Sequence, residues 1–194
     1  MDFKSYVAED NEPDKINKII SADCYPFLKE SHALELYKGY ANTKYFKRVI
    51  PGLYKIKVIK NRKPLLGNNE YFNLFNKAFE EKFHIPKIRS ISVVSSGNID
   101  VANDYGDVYK IYPIGYFSYI WSPKVEDAYI EWDAVMTELE YKGAGPELSD
   151  KQKAMKKLVS SYKMKDLAKG LRSGNEILFQ CEEYYAVAEG LDGL

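Results

Sequence analysis

The chain has 194 residues, 45% of them apolar, and its 28 basic side chains balance 28 acidic ones. That length and apolar share predict one globular domain with a sizeable core and exclude a disordered chain. Cys24 and Cys181 stand far apart in sequence, make no disulfide framework, and predict free thiols in a reducing, cytoplasmic setting.

No apolar run follows the start, and none reaches spanning length, so neither a signal peptide nor a membrane span is expected. Although the net charge is zero, the charges are segregated. Residues 38–63 hold nine basic side chains and no acid, whereas 126–147 hold seven acids and the single base Lys142. Blocks of this kind give a surface distinct electrostatic faces. They are equally what the solvated sides of amphipathic elements look like.

In chain order, residues 14–20 and 25–30 read as short helices, and 34–40 as a first strand ending in Leu36-Tyr37-Lys38-Gly39. Gly39 permits a bend or a close approach just after Lys38. Pro51-Gly52 is a turn, and 53–58 alternates as a half-buried strand with Lys55 and Lys57 on one face. Residues 62–64 read as loop. Asn68 or Asn69 caps a helix whose Phe72, Phe75, Phe79 and Phe83 form a stripe that must be buried.

Residues 91–121 are the centre of the reading. A β-rich run passes a Ser95-Ser96-Gly97 turn into a helix-sized segment ending at Tyr105-Gly106, and strands follow at 108–112 and 116–121. Ser122-Pro123 reads as the start of a helix with the stripe Val125, Ala128, Tyr129, Trp132, Val135, Met136 and Leu139. Residues 143–146 break it. Ser149 and Gln152 then form a capping-box pair, a short helix covers 163–172, and a β run from Glu176 continues through 184–187 as a last strand or hairpin. Strands are mostly not separated by crossover helices. The fold expected is α+β: a mixed, mainly antiparallel split sheet flanked by helices, with 1–33 as a helical segment before a core at 34–187.

His32 and His84 are isolated, and no Cys or carboxylate sits at ligand spacing, so no metal site is expected. Neither a phosphate loop, nor a dinucleotide fingerprint, nor a nucleophile elbow occurs. Nucleotide binding would therefore rest on basic side chains, strand-end hydroxyls and backbone amides.

Three phrases carry a resemblance: Leu36-Tyr37-Lys38-Gly39, Val94-Ser95-Ser96 leading to Ala102 and Tyr105-Gly106, and Gly174-Asn175-Glu176-Ile177-Leu178. In this order they resemble the Arg-Ser-Glu class of ADP-ribosyltransferases, in particular its phage-encoded members, over about 34–187. The resemblance implies transfer of ADP-ribose from NAD to a host macromolecule in the cytoplasm. It implies Glu176 as the catalytic carboxylate that holds the nicotinamide ribose, with Lys38, Gly39, Ser95, Ser96 and Tyr105 on the NAD side. This sequence departs from the family at Lys38, where an Arg is usual, at Val94, where the first Ser is usual, and at Gly174, where Gln or Glu is common. A lysine is a point charge without the planar fork of an arginine. A catalytically degenerate relative that binds or inhibits a host factor therefore stands beside the enzyme. A third alternative is nucleic-acid binding through 38–63, where Tyr45, Phe46 and Tyr54 interleave with lysines.

Overall fold

The computed structural model describes residues 12–43, 46–60, 69–141 and 145–188. Helices α1 (Glu12–Asp23) and α2 (Tyr25–Ser31) lead into strands β1 (Tyr37–Tyr40), β2 (Lys47–Ile50) and β3 (Leu53–Lys57). Helices α3 (Asn69–Phe83) and α4 (Ile88–Ile91), strand β4 (Val93–Ser96) and helix α5 (Ile99–Asn103) follow. Strands β5 (Asp107–Pro113) and β6 (Ser118–Trp121) precede helices α6 (Ala128–Tyr141), α7 (Leu148–Ser160) and α8 (Leu167–Ser173). The described chain closes with β7 (Glu176–Gln180) and β8 (Glu183–Ala188).

The strands form one sheet in the order β2-β3-β8-β5-β1-β4-β7-β6, and every pairing is antiparallel. The expected mixed α and β chain with an antiparallel sheet and flanking helices is what forms. This sheet cannot be flat. From Gln180 to Glu183 the chain spans at most about 11 Å, yet β7 and β8 stand four strand spacings apart, about 19 Å in a flat sheet. The sheet therefore folds over itself, and the rings of Phe179 and Tyr184 meet edge to face at 5.7 Å across the bend. It is thinnest at its middle, where β1 and β4 share one residue pair, Tyr37 opposite Ser96.

Two apolar clusters fill the layers. One joins Ile16, Ile20 and Phe27 of the N-terminal helices to Leu53, Tyr112 and Val187 of the sheet. Residues before β1 are thus part of the same core as the strands. The other packs Phe75 and Phe79 against Trp132, Met155, Tyr162 and Leu178. Both phenylalanines are fully buried, each contributing about 1.5–3 kcal/mol of transfer free energy. Phe72, expected in the same stripe, is half-exposed, because Tyr71 and Leu74 share the buried face with Phe75.

Several expectations about local structure are corrected. The first strand begins at Tyr37 and not at 34, since His32 and Ala33 sit at φ 56° and 58° and turn the chain. Ser95 and Ser96 belong to β4 rather than to a turn. Helix α6 starts at Ala128, capped by Asp127 Oδ1, which accepts from the Tyr129 and Ile130 amides at 2.7 and 3.0 Å. The Ser122 hydroxyl instead meets Ser161 Oγ at 2.7 Å. Ser149 lies inside α7, whose N-cap is Glu147, so the capping box does not form. The two last strands are not a hairpin: β7 pairs with β4 and β6, and β8 with β3 and β5. Tyr45, Asn68 and residues 62–64 and 143–144 lie outside the described residues.

Candidate functional site around Glu176

The three motif strands are neighbours. Lys38 and Gly39 are on β1, Ser95 and Ser96 on β4, and Glu176 on β7, in the spatial order β1-β4-β7. Glu176 stands directly opposite Ser96, and Ser96 opposite Tyr37. Two chain features deliver Glu176 to this spot. Gly174 adopts φ 74°, a left-handed turn that ends α8 and that a side chain would strain. The Glu176 amide then donates to the Glu126 carbonyl at 2.8 Å.

The serine hydroxyls hold this geometry together. Ser95 Oγ donates to the Ile177 carbonyl at 3.0 Å, and Ser96 Oγ donates to the Gly174 carbonyl at 2.6 Å while accepting from the Asn98 amide at 3.0 Å. Both are buried. They clamp β4 to the start of β7. Lys38 Nζ donates to the Val94 carbonyl at 3.1 Å and lies 5.1 Å from the centre of the Tyr40 ring. Gly39 serves packing: a Cβ there would meet the Ala102 carbonyl oxygen at 2.0 Å, so only glycine lets α5 lie this close to β1.

Glu176 has a partner that spacing did not indicate. Arg89 Nη1 donates to Glu176 Oε2 at 2.9 Å, with the two side chains 11% and 5% exposed. Arg89 comes from α4, a single turn entered through Lys87 at φ 55° and anchored by the fully buried Ile88. Its amide donates to Asn76 Oδ1 at 3.0 Å, and its guanidinium lies over Phe75 at 4.7 Å and bonds the Tyr71 hydroxyl. The phrase Ile88-Arg89-Ser90-Ile91 carries no metal, cap or motif signal, so its role comes only from tertiary packing.

The electrostatics follow from this enclosure. Burial pushes the Glu176 carboxyl above its ordinary value and nearby Asp127 adds to that, while Arg89 and Lys38 pull it back. Burial works against the Arg89 charge, but Glu176, Tyr71 and Tyr162 more than offset it, and Arg89 stays ionised. Burial also raises Tyr71 and Tyr162, with Glu176 contributing to both. Among the described residues, Glu176 Oε1 and Tyr162 Oη are buried polar atoms without a hydrogen-bond partner. Tyr105, 55% exposed, donates to Asp127 Oδ2 at 2.9 Å, and burial and Asp127 push its phenol up to about 12.

Beside this buried group a cleft of about 600 Å³ opens to solvent, with Glu35, Tyr37, Gly97, Asn98, Arg172 and Gly174 among its walls. Its volume falls within the range of small-molecule sites. Each motif strand touches it through a neighbour: Tyr37 precedes Lys38, Gly97 follows Ser96, and Gly174 lies two before Glu176. The side chains of Lys38, Ser95, Ser96 and Glu176 do not themselves line it. Glu35 in its wall is tied to Lys110 at 2.5 Å, which, with the Tyr37 hydroxyl, outweighs partial burial and lowers its carboxyl.

Among the described residues no group of three or more His, Cys, Asp or Glu side chains is placed to hold a metal ion, and no helix is long and apolar enough to cross a membrane. Comparison with protein-family models, with curated proteins and with solved structures finds no match to this chain.

Proposed function

We propose that this protein is a relative of the ADP-ribosyltransferases that takes NAD into the cleft beside β1, β4 and β7 and transfers ADP-ribose to a host macromolecule. The observation that carries the reading is the adjacency of three strands whose motif residues, Lys38, Ser96 and Glu176, are far apart in sequence, beside one nucleotide-sized cleft whose wall is formed by their chain neighbours Tyr37, Gly97 and Gly174. In such a transfer the bond between the nicotinamide nitrogen and C1′ of the ribose breaks, and nicotinamide leaves with the electron pair. An acceptor heteroatom bonds C1′ and gives up its proton. A carboxylate stabilises the positive charge that develops at C1′. Glu176 is the group of the right chemistry here; its Oε1 has no hydrogen-bond partner but is buried and outside the cleft wall, so the reading requires the enclosure around Glu176 to open as NAD binds.

A second reading is favoured by one observation. Arg89 occupies Glu176 Oε2 in an enclosed ion pair, and Lys38 is engaged by the Val94 carbonyl. Groups satisfied in this way suit a relative that binds a nucleotide or a host factor without turnover. Incubation with labelled NAD and host lysate, alongside calorimetric titration with NAD, separates the two. Label transfer that Glu176→Ala abolishes supports the enzyme. NAD binding without transfer supports the binding protein. Absence of both refutes the cleft as an NAD site.

A further inference from the structure

Helix α6 carries apolar side chains on two opposite sides. At about 3.6 residues per turn, Ala128, Trp132, Val135 and Leu139 share one side, where Ala128 and Trp132 are buried in the second apolar cluster. Ile130, Ala134, Thr137 and Tyr141, spaced four, three and four residues apart, share the other side. All four are exposed, Ile130 at 66% and Tyr141 at 87%. The core therefore accounts for one side of this helix and leaves the other uncovered among the described residues.

Both borders of the exposed stripe are acidic. Asp133 and Glu140 run down one, Glu131 and Glu138 down the other, and α6 contains no basic residue. The stripe has the four-three spacing of a coiled-coil seam, and the acids stand at the flanking positions that select a partner helix. Glu131, Asp133 and Glu140 make no ion pair among the described residues. Helix α7, packed alongside, carries lysines, yet Lys151, Lys153 and Lys156 are paired with Glu70, Asp150 and Glu81. Its exposed Lys157 makes no ion pair to α6 either. A solvated helix face accounts for the acids. It does not account for Ile130 and Tyr141 aligned between them.

We propose that the outer face of α6 docks a helix of a partner protein whose own apolar stripe is bordered by lysine or arginine. Such a helix covers Ile130 and Tyr141 and meets acids along both borders. The same charges exclude a second copy of this chain on that face, because two α6 helices would set acid against acid at the flanking positions. The seam is about two heptads long and includes alanine and threonine, so the contact is weak and leans on charge. It begins next to the Glu176 site, since the carbonyl of Glu126, just before the helix, accepts the Glu176 amide. It needs no NAD, and its test is independent of the cleft.

The experiment uses the full chain and synthetic peptides of about 21 residues with isoleucine and leucine at the seam positions. One is bordered by lysine, one by glutamate, and one is the lysine peptide scrambled. By fluorescence anisotropy the lysine peptide should bind about tenfold tighter than either control at about 50 mM salt, and weaken severalfold at about 500 mM. The amide chemical-shift changes it causes should lie on α6. Ile130→Ser/Tyr141→Ser, both at exposed positions, should weaken binding about tenfold while keeping the melting temperature of the parent. Glu131→Lys/Asp133→Lys/Glu140→Lys should reverse the preference, so that the glutamate peptide binds better. Absence of binding at about 1 mM lysine peptide would overturn the proposal. So would equal binding of the scrambled peptide, shift changes away from α6, or unchanged affinity in both variants. A dimer of the parent chain that Ile130→Ser/Tyr141→Ser dissolves would also overturn it, by assigning the face to a second copy.

Discussion

Replacing Arg89 with Met tests whether the centre of the site is an ion pair that the fold depends on. Methionine keeps the apolar contact with Phe75 but withdraws the cation 2.9 Å from Glu176 Oε2. The remaining carboxylate is only 5% exposed and cannot turn to water without unpacking. Removing one partner of a buried pair costs about 3–5 kcal/mol, because the other charge is left uncompensated. For a chain of this size that corresponds to a loss of about 6–20 °C in Tm, readable by calorimetry or urea unfolding. Replacing both partners, as in Arg89→Met/Glu176→Leu, should recover most of the loss, since a well-packed apolar pair is often neutral relative to a buried ion pair. An Arg89→Met protein within about 1 kcal/mol of the parent would refute the reasoning. A double variant as unstable as the two single losses summed would do the same.

The pH dependence has a definite sign. The folded pKa of Glu176 lies above its ordinary 4.5, so between the two values the folded protein holds a proton that the unfolded chain releases. The contribution of this group is therefore complete below 4.5 and is lost as pH rises through the raised value. Withdrawing Arg89 removes the main influence that pulls this pKa down, and the window extends further upward. Arg89→Met should thus regain part of its deficit, relative to the parent, on acidification from about pH 7 towards 5. A deficit that stays constant across that range would mean the carboxylate is not the group left stranded.

Two other perturbations read the scaffold. Gly39→Ala places a Cβ 2.0 Å from the Ala102 carbonyl oxygen and 3.0 Å from Tyr105 atoms. It should cost about 1–3 kcal/mol, because α5 must shift; an unchanged urea midpoint would show that the helix is not held this close. Burial, with Asp23 beside Cys24 and Glu182 beside Cys181, pushes both thiols up to about 12 from 9.0. That leaves about 1,000-fold less thiolate than an ordinary cysteine at neutral pH. Ellman's reagent should react slowly with the native protein and with two thiols after denaturation, and prompt native release from Cys181 would contradict its sheltered position.

Features that depend on neighbours within a few residues were legible in the sequence. Phe75, Phe79 and Phe83 at helical spacing placed α3, and the apolar run after Glu176 placed β7. Features fixed across the sheet were not. Asp127 displaced Ser122 as the cap of α6 because β6, ending at Trp121, is held by backbone bonds to Lys163, which keep Ser122 out of the helix. The two-residue link between β7 and β8 resembles a hairpin in sequence, yet the fold-over of the sheet sends its strands to different neighbours. Glu176 belongs to both groups. Its position at a strand start was legible, while its state was not, because Arg89 lies 87 residues earlier on a four-residue helix with no periodic signal. That pair decides between the two functional readings, since a carboxylate locked to Arg89 on both oxygens could not hold a ribose. Arg89 takes Oε2 and leaves Oε1 without a partner. The arginine thus orients the carboxylate without saturating it, but Oε1 is itself buried, so a ribose could reach it only if the enclosure around Glu176 opened.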